Sequence, residues 1–135
     1  MAASPNTIFL AEDDDDQRSI ISFALKKDGY DVIEAKDGTD LLDLLAMAAA
    51  VPTMRPDVIV SDVLMPGYSG LGVLAALRES IWRVPVILIT ALQDDEVVSD
   101  ARRLGACAVF RKPFDIDDLR TAIMNASVWS QRSPC

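Results

Sequence analysis

Three short segments of the chain are almost wholly apolar: Ile8-Phe9-Leu10-Ala11, Val58-Ile59-Val60 and Val84-Pro85-Val86-Ile87-Leu88-Ile89. They limit the possible folds more than any other feature. Runs this short, and this rich in β-branched residues, read as strands covered on both faces, the situation of a parallel sheet. Two weaker runs, Val32-Ile33-Glu34-Ala35 and Cys107-Ala108-Val109-Phe110, read the same way. Between the runs the apolar residues change period. Residues 15–28 set Ile20, Ile21, Ala24 and Leu25 on one helical face and stop at Gly29. Residues 39–50 do so with Leu41, Leu44, Leu45 and Ala48, and residues 70–79 with Leu71, Leu74 and Leu77. Residues 94–104 open on Asp94-Asp95-Glu96, acids suited to a helix N-terminus. Residues 116–128 come after Asp115 as N-cap.

The order is strand then helix, five times over. It predicts an α/β architecture: a doubly wound, five-stranded parallel sheet with helices on both faces. The chain's 135 residues suit one domain, 1–135, with its core over about residues 7–128. Residues 46–56 are long for a helix-to-strand connection and read as an extra helical turn plus a loop.

Composition decides which chemistries remain. There are 21 acidic and 13 basic residues, a formal charge of −8, and no histidine. Without histidine there is no Ser-His-Asp triad, no His-ligated zinc and no histidine general base. The acid excess argues against electrostatic binding of nucleic acid or an anionic membrane. Carboxylate chemistry and hard cations stay open. Two cysteines, Cys107 and Cys135, are too few for a disulfide framework. Cys107 reads as a small core residue and Cys135 as a mobile thiol. The N-terminus has no basic region of a signal peptide, and no apolar run reaches the roughly 18 residues of a membrane span. A cytoplasmic protein is the expectation.

In an open α/β sheet, ligands bind beyond the carboxyl ends of the strands. Glu12-Asp13 comes after the first strand, Asp62 after the third, Thr90 after the fourth, and Lys112-Pro113-Phe114 after the fifth. Acids, a hydroxyl and one ammonium should therefore meet on one edge. Three carboxylates brought together repel unless a cation intervenes. Mg²⁺, hard and oxygen-seeking, is the natural one. Beside such a cation and Lys112, an aspartate can accept a phosphoryl group, a transfer that needs mainly positioning and charge neutralisation. The acids Asp14, Asp15 and Asp16 read instead as helix-start residues.

With these residues in place the chain resembles the receiver, or phosphoacceptor, domain of two-component response regulators. The resemblance covers about residues 7–128. It rests on Glu12-Asp13, on Asp62-Val-Leu-Met-Pro-Gly-Tyr-Ser-Gly70, on Thr90-Ala91 and on Lys112-Pro113-Phe114. It implies a flavodoxin-like receiver fold with Asp62 as the phosphorylated residue. It implies Mg²⁺ held directly by Asp13, Asp62 and the backbone carbonyl of Leu64, with Glu12 acting through water. Lys112 would pair with the acceptor carboxylate and then the phosphoryl group, Thr90 would reach a phosphoryl oxygen, and the Lys112–Pro113 bond would be cis. The implied partners are a sensor histidine kinase or histidine phosphotransfer protein upstream. Downstream, a protein target would use the fourth helix, fifth strand and fifth helix. Such a protein is a signalling switch in a phosphorelay rather than an enzyme, and no nucleic-acid or membrane contact is implied.

The chain departs from the family pattern in two places. The position three before the lysine, usually Tyr or Phe, is Val109, and Phe110 lies one residue on, toward the opposite sheet face. Leu64 and Leu92, two residues beyond Asp62 and Thr90, cannot orient an attacking water by hydrogen bonding, which predicts a long-lived aspartyl phosphate. Two rival readings are a docking module that is never phosphorylated and an Mg²⁺-dependent phosphohydrolase with Asp62 as nucleophile. The complete acid–Thr–Lys set argues against the first. Leu64, where such hydrolases carry an acid, argues against the second.

Overall fold

Each apolar run of the sequence becomes a strand, and each stretch of helical period a helix. The structure, a computed structural model, describes residues 7–79 and 83–129. The strands are β1 (Thr7–Ala11), β2 (Asp31–Ala35), β3 (Val58–Asp62), β4 (Val86–Thr90) and β5 (Ala108–Arg111). The helices are α1 (Asp15–Lys27), α2 (Gly38–Ala50), α3 (Gly70–Arg78), α4 (Asp95–Arg103) and α5 (Ile116–Trp129). The sheet is parallel throughout, in the order β2-β1-β3-β4-β5. This is the doubly wound sheet the alternation predicts.

Strand side chains alternate between two apolar layers. Phe9, Ala11, Ile59, Val86 and Leu88 face one layer, with Leu41, Leu45, Val73, Leu74, Leu77 and Ala101 from α2, α3 and α4. Ile8, Leu10, Val58, Val60, Ile87 and Ile89 face the other, with Ile21, Leu25, Leu119 and Ile123 from α1 and α5. Three helices thus cover one face and two the other. The central strands β3 and β4 are buried along their whole length, which is why their sequences are nearly continuous apolar runs. The edge strands β2 and β5 are only partly covered, which accounts for their weaker patterns.

Polar residues start the helices as expected. Asp14 caps α1 by accepting from the Gln17 N–H, at 3.0 Å, with Asp15 and Asp16 in the first turn. Asp37, Ser69 and Asp94 cap α2, α3 and α4 in the same way. Asp115 accepts from the Asp117 N–H at the start of α5. The long 46–56 connection resolves into the last turn of α2, a 3₁₀ turn at Pro52–Met54 and an extended link. The Lys112–Pro113 bond is cis, as the resemblance implied. Cys107 corrects the sequence reading: it is half-buried against the α1–α5 layer but is disulfide-bonded rather than a plain core thiol. Cys135 lies outside the described residues.

The strand order also fixes where a ligand can sit. From β1 the chain crosses to β2 on one side and then returns to β3 on the other. The carboxyl ends of β1 and β3 therefore flank the point where the winding reverses, the usual ligand crevice of such sheets.

Candidate functional site

Glu12, the first residue beyond β1, and Asp62, the last residue of β3, both lie in that crevice. Both are buried, at 2% and 4% exposure, whereas Asp13 beside them is exposed. The three acids each offer a carboxylate oxygen, and these lie within 4.8 Å of one another. The register explains the meeting: Ala11 of β1 pairs with Ser61 of β3, so the next residue of each strand emerges at the same level.

Lys112 reaches the same point from the far edge of the sheet. It comes directly after β5, and its Nζ donates to Glu12 Oε1 at 2.7 Å and to Asp62 Oδ2 at 2.8 Å. Its backbone is tied to the neighbouring strand, where the Lys112 N–H donates to the Thr90 carbonyl at 2.7 Å. Thr90 is fully buried, and its Oγ1 accepts from the Leu92 N–H at 2.9 Å. That bond uses an oxygen lone pair and leaves the hydroxyl hydrogen available to donate.

The β3–α3 loop is held equally closely. The Leu64 N–H donates to Asp62 Oδ1 at 3.2 Å, and the Val63 N–H to the Ile89 carbonyl at 2.8 Å. Leu64 is half exposed, so its side chain offers nothing polar to the crevice. Two glycines permit the packing. A Cβ on Gly70 would lie 2.4 Å from the Asp62 carbonyl oxygen, and one on Gly38, at the start of α2, 1.9 Å from the Tyr68 carbonyl oxygen. The Gly38 N–H donates to the Pro66 carbonyl at 3.1 Å, which seats the loop on α2.

These charges act on one another at hydrogen-bond distance. Burial, with Asp62 alongside, pushes the Glu12 carboxyl up to about 7, while Lys112 pulls it the other way. Burial opposes the charge on Lys112, but its bonds to Asp62 and Glu12 outweigh this and hold it above the usual lysine value. The Lys112 ammonium is the only cation within reach of the two buried carboxylates among the described ion pairs. An oxygen-only donor set of clustered carboxylates with one exposed member suits a hard, partly hydrated cation such as Mg²⁺.

All the expected site residues therefore fall in one place: Glu12, Asp13, Asp62 and Lys112 as a cluster, Thr90 on the adjoining strand end, and Leu64 in the loop against Asp62. The departures are also visible. Val109 packs with the layer under α2, α3 and α4, whereas Phe110 faces the α1–α5 layer and pairs with Phe114, ring centres 6.0 Å apart. Arg18, which binds the chain at the foot of the acidic cluster, is not singled out by the sequence pattern. The available signal was a lone arginine near the start of a helix that opens on acids, with Glu34 the one charge inside the β2 apolar run.

The comparisons with known proteins agree with the geometry. The family model described as the response regulator receiver domain matches residues 8–124. The regulatory protein AtoC of Escherichia coli is 34% identical over 121 residues, covering 90% of this chain and 25% of that protein. The sporulation initiation phosphotransferase F of Bacillus subtilis is 30% identical over 116 residues, 86% of this chain and 89% of that protein. A solved structure, the signal receiver domain of a signal transduction histidine kinase from Syntrophus aciditrophicus, superposes with a TM-score of 0.83 at 27% identity. It covers 95% of this chain and 94% of that one. The chain thus spans a quarter of one relative's length and most of another's.

Proposed function

The chain belongs to the response regulator receiver domain family of two-component systems, and on that premise we propose that it is a switch phosphorylated on Asp62. Receiver domains are signalling switches that interact with histidine kinases or phosphotransfer proteins and generally bind Mg²⁺ at an acidic pocket. The observation that carries the finer reading is the Lys112 ammonium lying 2.8 Å from Asp62 Oδ2 in a crevice otherwise lined by acids.

In this reading an Asp62 carboxylate oxygen attacks the phosphorus of a phosphohistidine. The new O–P bond forms as the N–P bond breaks, and the electron pair returns to the imidazole of the donor. With no histidine among its 135 residues, this chain cannot supply that donor itself. Lys112 offsets the charge on Asp62 before transfer and on the phosphoryl oxygens after it. The Thr90 hydroxyl hydrogen donates to a phosphoryl oxygen while the Leu92 N–H holds the Thr90 oxygen in place. Asp13, Asp62 and the Leu64 carbonyl, with Glu12 through water, would hold Mg²⁺, which neutralises further charge on the phosphoryl group when bound.

Leu64 and Leu92 offer no group to orient a hydrolytic water, which supports a slowly decaying phosphoprotein. Output would pass to a partner protein through α4, β5 and α5. Several charges there are paired within the chain, Arg103 with Asp100, Arg111 with Asp95, and Arg120 with Asp28 and Asp117. A partner that uses them must exchange those pairs. Among the described residues no helix is long and apolar enough to cross a membrane, which is consistent with work in the cytoplasm beside a kinase.

The test is intact-mass measurement of the chain and of Asp62→Asn after incubation with Mg²⁺ and a small acyl-phosphate donor. One phosphate on the parent and none on the variant is the expected result. No adduct on the parent with any donor or kinase would point to a docking module. Sustained phosphate release from unrelated phosphoesters would point to an enzyme.

A further inference from the structure

We propose that Arg18 is a positioning residue for the acidic site: its guanidinium fixes the Glu12–Asp13 peptide, so that both carboxylates are held ready for a divalent cation. This rests on the Mg²⁺ reading of the site and extends it to a residue with no contact to the crevice's carboxylates.

The β1–β2 ladder runs to the pair Ala11–Ala35, and the Glu12 N–H still donates to the Ala35 carbonyl at 3.1 Å. The Glu12 carbonyl lies beyond the last strand residue. Arg18 Nη1 donates to it at 2.8 Å. The same guanidinium donates through Nη2 to Asp15 Oδ1 at 2.6 Å and through Nε to Glu34 Oε1 at 3.3 Å. Only 16% of the Arg18 side chain is exposed. Glu34 belongs to β2 and also accepts from Ser22 Oγ of α1 at 3.3 Å. One planar fork therefore joins the end of β1, the first turn of α1 and β2.

The place of that joint is what gives it a functional consequence. The carbonyl Arg18 holds is in the peptide linking Glu12 to Asp13. Rotation of that peptide would turn Glu12 out from under Lys112 and move the Asp13 carboxylate relative to Asp62. Arginine suits the task because its donors are fixed in one plane and serve three acceptors at once, a geometry that lysine's single ammonium cannot match. Partners that orient metal ligands without touching the metal commonly change affinity by about ten- to a hundredfold when removed.

The sign of the effect separates this from two other roles. A purely electrostatic Arg18 would repel Mg²⁺ from an acidic site, so its removal would tighten binding. A merely structural Arg18 would alter stability and leave affinity alone. Positioning alone predicts weaker binding.

Calorimetric titration with Mg²⁺, together with thermal unfolding, should be run on the parent, Arg18→Met and Glu34→Gln. The dissociation constant should rise about ten- to a hundredfold in Arg18→Met. Glu34→Gln, which keeps the bond to the Glu12 carbonyl, should bind Mg²⁺ as the parent does while melting at a lower temperature. Unchanged or tighter binding by Arg18→Met would overturn the proposal, as would an equal weakening in Glu34→Gln. If Arg18→Met does not fold, Arg18→Gln, too short to reach the carbonyl, carries the same expectation and the same refutation. A parent that binds no Mg²⁺ would instead refute the metal reading itself, and the inference with it.

Discussion

Asp62 meets a lysine that comes from a strand two places away in the sheet, and the pair sits among carboxylates that would otherwise repel. Lys112 is therefore tied to both the proposed phosphoryl transfer and the integrity of the crevice. Replacing it with Met leaves Glu12 and Asp62 facing each other without a cation. Phosphoryl transfer from a small donor should become undetectable on the parent's timescale. In metal-free buffer the variant should also lose about 1–3 kcal/mol, read by denaturant unfolding. Leu64 gives a second prediction. Leu64→Asn introduces an amide at a half-exposed position two residues beyond Asp62 and should shorten the lifetime of the phosphorylated form. An unchanged decay rate would separate the lifetime from that position. Glu12, Asp13, Asp62, Thr90 and Lys112 were legible in the sequence because each ends or closely trails an apolar run. Arg18 was not, because its role depends on a backbone carbonyl and a β2 glutamate that only the folded chain brings to it.

At the level of elements, α4 is held differently from its neighbours. Ala101 is its one fully buried residue, so the apolar layer grips it weakly. Its ends are held by guanidinium groups. Arg78 of α3 donates to the Leu104 and Gly105 carbonyls, at 2.9 and 3.0 Å, and Arg111 of β5 pairs with Asp95. Arg78→Met should leave the two carbonyls at the end of α4 unsatisfied and cost about 1–3 kcal/mol in denaturant unfolding. Arg120 of α5 ties to Asp28 at the end of α1 by two bonds, at 2.8 and 2.7 Å. This pairing holds the Asp28 carboxyl below the usual 3.8. A depressed carboxyl adds stability above its unfolded value and loses it as pH falls through its folded one. Arg120→Gln should thus melt slightly below the parent at neutral pH, with the gap closing once the solution is more acidic than about 3.8. The strands β3 and β4 were plain in the sequence because both faces are covered. The edge strands β2 and β5 were weaker, since they are only partly covered and carry polar residues such as Asp31, Glu34 and Arg111.

For the whole molecule, a charge of −8 looks at first like a property of the surface. Much of it lies at helix starts, at Asp14, Asp37, Asp94 and Asp115, and only a few acids converge at the junction of β1 and β3. The fold itself was legible, since five strand–helix repeats leave few alternatives once handedness is imposed. Two features were not. The 46–56 connection read as an extra helical turn plus a loop, but only Pro52 hinted at the 3₁₀ character of that turn, and no cysteine spacing motif announced the disulfide at Cys107. The proposed Mg²⁺ site makes stability depend on the cation. At a hundred times its dissociation constant, Mg²⁺ should add about 2.7 kcal/mol to the parent. Asp13→Asn should lose most of that gain in thermal unfolding, with its metal-free stability little changed, because Asp13 is exposed.

The central claim is that one particular carboxylate, Asp62, takes the phosphoryl group. Borohydride reduces an aspartyl phosphate to homoserine, so peptide mapping after phosphorylation and reduction reads the site directly. Homoserine at position 62 and at no other acid is the result expected. Homoserine at Asp13 or elsewhere, or a phosphorylated chain with Asp62 intact, would contradict it.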